Sequence, residues 1–90
     1  MNFDWDEKKN LSNYKKHGIR FEEVIEVFKD TFALEATDEF NKNRLIRTGF
    51  TFHKGVLFVV YEENNESIRI ISARKSTKSE AKQYAQRIRS

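Results

Sequence analysis

Residues 69–75 read RIISARK: Arg69 interrupts an apolar run, and Arg74 and Lys75 close it just before the start of a helix. A guanidinium stays charged and offers a planar fork of N–H donors, which suits phosphate oxygens and makes it a poor proton carrier. Arg74 and Lys75 also precede the unbonded amides of a helix N-terminus, a second attraction for anions. Arg69, Arg74 and Lys75 are therefore candidates for holding phosphate and stabilising charge on its oxygens. Five residues of strand separate the two arginines, about 16 Å at roughly 3.3 Å per residue. That span matches successive phosphates of a polynucleotide better than one small phosphorylated metabolite. The bland reading of Arg69 is a stem lying on the sheet, its head snorkelling to water or paired with Glu62 or Glu63. Arg74 and Lys75 fit a solvated corner equally well.

Proton transfer needs other groups. His17 has the side chain best suited to moving a proton near neutral pH. Glu80 and Tyr84 lie one helical turn apart and can share a face. Lys9 completes the set as a lysine that an altered pKa would turn into a proton donor or acceptor. Each also has an ordinary role: His17 as a helix-end hydrogen-bond donor, Glu80 as part of a capping box, Tyr84 as core, Lys9 as a solvated charge. Asp4 and Asp6 lack a His–carboxylate cluster at ligand spacing, and no Gly-rich phosphate loop is present, so no metal or cofactor is expected.

The elements that must position these groups follow from periodicity. Phe3 and Trp5 alternate with Asn2, Asp4 and Asp6, as a short strand or extended lead-in. Asp6 can cap a helix over roughly 7–17 with Leu11, Tyr14 and His17 along one stripe, closed by basic residues and Gly18. Phe21, Val24, Ile25 and Phe28 have the spacing of a second core-facing helix, with Arg20 a poor cap. Strands are expected near Phe32–Ala36, Arg44–Phe52, 56–61 (VLFVVY) and 68–73 (IRIISA), joined by short turns that favour antiparallel hairpins. A last helix starts near Thr77, three residues before Glu80. The predicted fold is α+β: two N-terminal helices, an antiparallel four-stranded meander and a C-terminal helix, in a single domain over residues 1–90. Val56, Phe58 and Val60 make one face of the central strand apolar, and Leu57, Val59 and Tyr61 the other. One helix layer covers only one of these, so the last helix, a curved neighbouring strand or a partner must cover the second.

Charge is divided unevenly along the chain. Residues 1–40 hold six Lys/Arg against ten Asp/Glu, and residues 41–90 hold eleven against four, a −4 half followed by a +7 half. Anionic partners fit this layout, nucleic acid first among them. The chain has no cysteine, which removes disulfides and zinc–thiolate sites and fits a reducing cytoplasm. No apolar run reaches the roughly 18 residues that span a membrane, and the first residues lack signal-peptide order.

The same residues carry a resemblance. Trp5, Asp6, Lys9, Asn13, Lys16, His17 and Gly18, then Phe21, Glu22 and Glu23, then VLFVVY and IRIISARK, then Thr77, Glu80 and Tyr84 resemble the BrnT family of toxins from bacterial type II toxin–antitoxin systems. The likeness covers nearly the whole chain. Two departures are Arg20, where the family commonly has a small hydroxyl residue, and Ser76, where alanine is usual. The resemblance implies a fold similar to the RelE ribonucleases and cleavage of RNA that arrests translation. It also implies neutralisation by a cognate BrnA-like antitoxin, which supplies the DNA-binding domain, so that operator DNA is reached only indirectly.

RNA carries its own nucleophile, the ribose 2′-OH, so a metal-independent endoribonuclease forming a 2′,3′-cyclic phosphate and a 5′-hydroxyl is the expected chemistry. On this reading Arg74→Ala sharply weakens cleavage while the protein stays folded. Two alternatives remain at this level: a non-catalytic RNA-binding module using the same basic strand, and a protein-interaction domain whose cations only solubilise it.

Overall fold

The computed structural model describes residues 1–90. Its elements are β1 (Asn2–Asp4), α1 (Glu7–His17), α2 (Phe21–Val24), a 3-10 helix (Ile25–Lys29), β2 (Leu34–Thr37), β3 (Leu45–Thr51), β4 (Gly55–Asn64), β5 (Ser67–Lys75) and α3 (Lys78–Arg89). They form one five-stranded sheet in the order β1-β5-β4-β3-β2. This corrects the expected four-stranded antiparallel meander. β2 to β5 do pair antiparallel, but β1 runs parallel to β5, with Phe3 opposite Ile68 and Asp4 opposite Arg69, so the sheet is mixed. The extended lead-in becomes a strand because its aromatic residues have partners. Phe3 packs on Phe28 at a ring distance of 5.3 Å, and Trp5 meets Phe21 edge-on at 6.1 Å. Short connections argue for hairpins only between neighbours in sequence, and β1 reaches β5 from the far end of the chain.

The expected pair of N-terminal helices is also corrected. Beyond one α-helical turn at Phe21–Val24 the backbone tightens into the 3-10 helix. Arg47 supplies a reason: its guanidinium donates to the carbonyls of Val27 and Asp30, both at 2.9 Å, and so draws this segment onto β3. Gly49 permits the approach, since a Cβ there would sit 2.9 Å from Val27 Cγ1 and 3.2 Å from Ala33 Cβ.

α1 begins as its sequence predicts. The Asp6 carboxylate accepts from the Lys8 and Lys9 amides, and Gly18 takes φ 72° at the other end while its N–H donates to Tyr14. Its stripe is the surprise. Leu11 and Tyr14 are exposed, and the buried α1 residues are Asn10 and Asn13. Asn10 donates to Glu7 and Glu22 and accepts from the Phe21 amide at 2.7 Å. Asn13 donates to the carbonyls of Ile19 and Ala73, both at 2.9 Å, and accepts from the Ala73 amide at 3.1 Å. This helix docks through amides because the edge of β5 beyond β1 offers backbone groups that must find partners.

The core lies between the sheet and the layer formed by α1, α2 and the 3-10 helix. Ile19, Phe21, Val24 and Val27 pack there against Leu57, Val59, Tyr61, Ile68, Ile70 and Ala73. α3 lies over part of the opposite face, where Glu80 and Gln83 share a shallow crevice with Ile46, Thr48 and Phe58. That placement answers the apolar second face of β4: Val56, Phe58 and Val60 are half-buried, and α3 is one of the covers.

Candidate active site

A bulge in β5 decides how its cations are arranged. Tyr61 pairs with Ile70 but Val60 pairs with Ser72, leaving Ile71 as the extra residue. Strict alternation would send Arg69 and Arg74 to opposite faces. With one residue inserted, Arg69, Ser72 and Arg74 stand opposite Glu62, Val60 and Phe58 and share a face. Lys75 stands opposite Leu57 and belongs to the other face, although its side chain is exposed at the strand end.

The two arginines have carboxylate partners, each of a different kind. Arg69 lies 3.4 Å from Asp4, with 41% and 59% of the two side chains exposed. Such a surface pair is worth about 0–1 kcal/mol, so an arriving phosphate can replace Asp4 at little cost. Arg74 is held more firmly. Its two terminal nitrogens donate to the two oxygens of Glu80 at 2.8 and 3.0 Å, and its guanidinium lies 3.9 Å from the centre of the Phe58 ring. Glu80 accepts at the same time from the Thr77 amide, while Thr77 caps the Glu80 amide. The hydrogen bond from Arg74 holds the Glu80 carboxyl below its ordinary range, against an opposing push from burial, and the same bond raises Arg74. Glu80 is consequently a weak proton acceptor.

Tyr84 is buried and donates to Asp30. Burial first, and then this carboxylate, push its hydroxyl up to about 12. Asp30 also accepts from the amides of Phe32 and Phe50, both at 2.9 Å. Burial raises Asp30, but these hydrogen bonds, Tyr84 first, together with the Arg47 charge leave it below its usual value. Tyr84 and Asp30 thus tie α3 to the end of the 3-10 helix.

His17 and Lys9 meet elsewhere. They line a crevice of about 200 Å³ between α1 and β5 together with Ser12, Asn13, Lys16, Ile71 and Ser72. Lys9 and Lys16 lie two helical turns apart, Ser12 and Asn13 fall between them, and the bulge brings Ile71 and Ser72 to the wall. None of Lys9, Lys16 and His17 is paired with a carboxylate within 4.0 Å. The predicted residues therefore separate into two groups along β5: Lys9 and His17 in the crevice, and Arg74 and Glu80 at the junction with α3, with Tyr84 one turn beyond. Arg69 and Lys75 stand at the two ends of the strand.

Lys16, Ser72, Asn13 and Asp30 were not assigned roles by sequence reasoning. Lys16 had a usable signal, its i+7 spacing from Lys9. Asn13 had another, a polar residue within a helix that must dock. Ser72 depends on the bulge and Asp30 on a contact with residue 84, neither visible in local sequence. No group of three His, Asp or Glu side chains is arranged to hold a metal ion.

A small mixed sheet with an unpaired cationic crevice beside one strand is an arrangement chemically suited to anions. Residues 5–80 match the family described as the ribonuclease toxin, BrnT, of type II toxin–antitoxin systems, and this chain belongs to that family. It is a ribonuclease toxin whose class acts on RNA and is paired with an antitoxin. The crystal structure of the Brucella abortus ribonuclease toxin BrnT is similar to it, with a TM-score of 0.73 at 26% identity over 87% of this chain and 99% of that one. No curated protein matches the sequence. No helix is long and apolar enough to cross a membrane.

Proposed function

We propose that RNA is cut at the crevice between α1 and β5 by attack of its own 2′-OH. The supporting observation is the meeting of Lys9, Lys16, His17 and Ser72 in one opening without a neutralising carboxylate. Lys9 and Lys16 bind the scissile phosphate, and His17 carries a proton. As the 2′-oxygen bonds to phosphorus, its proton leaves to a base. The bond from phosphorus to the 5′-oxygen breaks, and that oxygen takes up a proton. A 2′,3′-cyclic phosphate and a 5′-hydroxyl end result, with no metal needed in the proton or charge balance. Arg69 exchanges Asp4 for a neighbouring phosphate, and Lys75 holds another further along. Arg74 and Glu80 position the junction, while Tyr84 fixes α3 in place. A BrnA-like antitoxin blocks this surface in the cytoplasm and carries any contact with operator DNA.

The test uses purified protein with chelator on matched RNA and DNA, followed by mapping of the ends. RNA alone should be cut, giving cyclic phosphate and 5′-hydroxyl termini. His17→Ala should lower the rate about 10²-fold, the usual size of a general acid–base contribution. A variant within twofold of wild type removes His17 from proton transfer, and equal cutting of DNA rejects the 2′-OH route.

A further inference from the structure

Phe32, Phe50 and Phe52 are 49%, 41% and 84% exposed, and all three line one crevice of about 430 Å³. Phe50 and Phe52 meet edge to face with ring centres 5.6 Å apart and planes at 75°. Burying such rings is a leading source of stability, so three left open in one place need a purpose. We propose that this aromatic cup seats a single unpaired nucleobase of the RNA, a few nucleotides from the cut. The assignment rests on the RNA-cleaving reading above.

The cup is held by carboxylates already committed to backbone. Both oxygens of Asp30 are occupied: Oδ1 accepts from the Phe32 amide, and Oδ2 from the Phe50 amide and the Tyr84 hydroxyl. Glu26 accepts from the Phe52 amide at 2.9 Å through Oε2, and its Oε1 has no protein donor. Three backbone segments that carry rings are thus pinned, and one free acceptor remains in the lining. Stacking on an aromatic ring tolerates any base, whereas a carboxylate oxygen selects an amino group on the base edge. The cup therefore favours cytosine, adenine or guanine over uracil, which has no amino group and whose N3–H lies between two carbonyl oxygens that repel a carboxylate.

Its position suits a continuing RNA strand. Lys75 pairs with Leu57, and Leu57 pairs with Gly49, the neighbour of Phe50. Two strand spacings make that about 10 Å, and Ser72 lies about 10 Å back along β5. Leu57 and Gly49 are buried and Phe50, opposite Val56, faces away from Lys75, so a single strand leaving the cleavage crevice passes Lys75 and rounds the end of the sheet to reach the cup. Lys29, in the same lining, offsets one of the two carboxylates, Glu26 and Asp30, as the phosphates approach. A helix of a protein partner needs a far longer groove, since a stable interface buries about 800 Å² on each side.

The experiment compares wild type, Phe52→Ala and Glu26→Gln on single-stranded RNA decamers, reading both binding and the mapped ends. Wild type should show a base preference at one fixed offset from the cut. Phe52→Ala should weaken binding about tenfold, within the range for losing one stacked base, and erase that preference. Its melting temperature should not change, because the ring is outside the core. Glu26→Gln keeps an oxygen for the Phe52 amide but presents an NH₂ group, so the preference should move toward uracil. Weaker binding by Phe52→Ala with no cleavage by any form sustains the cup and sinks the cleavage reading. Binding and ends unchanged in Phe52→Ala overturn the cup, as does a loss confined to binding of an antitoxin.

Discussion

The two flanks of β5 are both rich in cations, yet they do opposite things with them. On the α1 flank, Lys9, Lys16 and His17 border a crevice and meet no carboxylate. On the α3 flank, Arg74 is matched oxygen for nitrogen by Glu80, stacked on Phe58, and locked by the helix cap. Charge on the first flank is available to a ligand, and on the second it is already spent on architecture. A basic residue count cannot separate these cases, because the difference lies in which carboxylate the fold brings alongside.

The largest blow to this contrast should come from Asn13→Ala. It strips partners from the amide and carbonyl of Ala73 and from the carbonyl of Ile19. With buried groups left unsatisfied at about 1–3 kcal/mol each, partly regained by water, a loss of about 3 kcal/mol is expected in urea unfolding. A loss below about 1 kcal/mol would show that α1 is held by something else.

Removing the free charges comes next. Lys9→Ala with Lys16→Ala should cut RNA cleavage about tenfold or more and leave stability within about 0.5 kcal/mol. The salt dependence of RNA binding should become shallower by about 0.7 in log–log slope, for the one phosphate the two lysines share. An unchanged slope would take these lysines off the phosphates.

A smaller effect is expected on the α3 flank. Arg74→Ala and Glu80→Ala, combined in a double-mutant cycle, should show a coupling of about 1 kcal/mol in stability, as for a well-aligned surface pair. Their effect on cleavage should be below that of the lysine pair. If Arg74→Ala abolishes cleavage while Glu80→Ala spares it, Arg74 reaches the substrate and the two flanks act alike.

The gentlest probe is pH. Asp30 and Glu80 sit below their usual values, so their contribution to stability is present above the ordinary carboxylate range and is lost as pH falls through the lowered values. Tyr84 is raised to about 12, so its contribution is complete below an ordinary tyrosine's value near 10 and is lost as pH rises through about 12. Stability should be flat across neutrality and fall at both extremes. Tyr84→Phe should remove its own share of the alkaline fall and leave that of Tyr61, which burial and the Glu35 carboxylate also raise.

Much of this was legible in the residues. VLFVVY, the α1 cap at Asp6 and the Thr77–Glu80 box announced their elements, because each rests on local periodicity or capping. The string RIISARK pointed to β5, but alternation alone put its arginines on opposite faces. The bulge that reunites them is set by pairing with β4. β1 was readable as extended and unreadable as a fifth strand, since its partner lies more than sixty residues away. The Leu11–Tyr14 stripe misled because hydrophobic spacing assumes that a helix docks by apolar contact, whereas here amides do that work. The seven candidate residues were named by type and spacing, and their separation into a crevice pair, a junction group and two cations at the strand ends required the fold.

Asn13 has a consequence for how the molecule associates. By satisfying the backbone of Ala73 from the side, it closes the margin of β5 that β1 is too short to cover. An incoming chain cannot add a strand there without first displacing a buried amide. The outer margin of β2 carries no such guard, so the backbone groups open to pairing with another polypeptide lie at the far rim of the sheet, away from the crevice between α1 and β5.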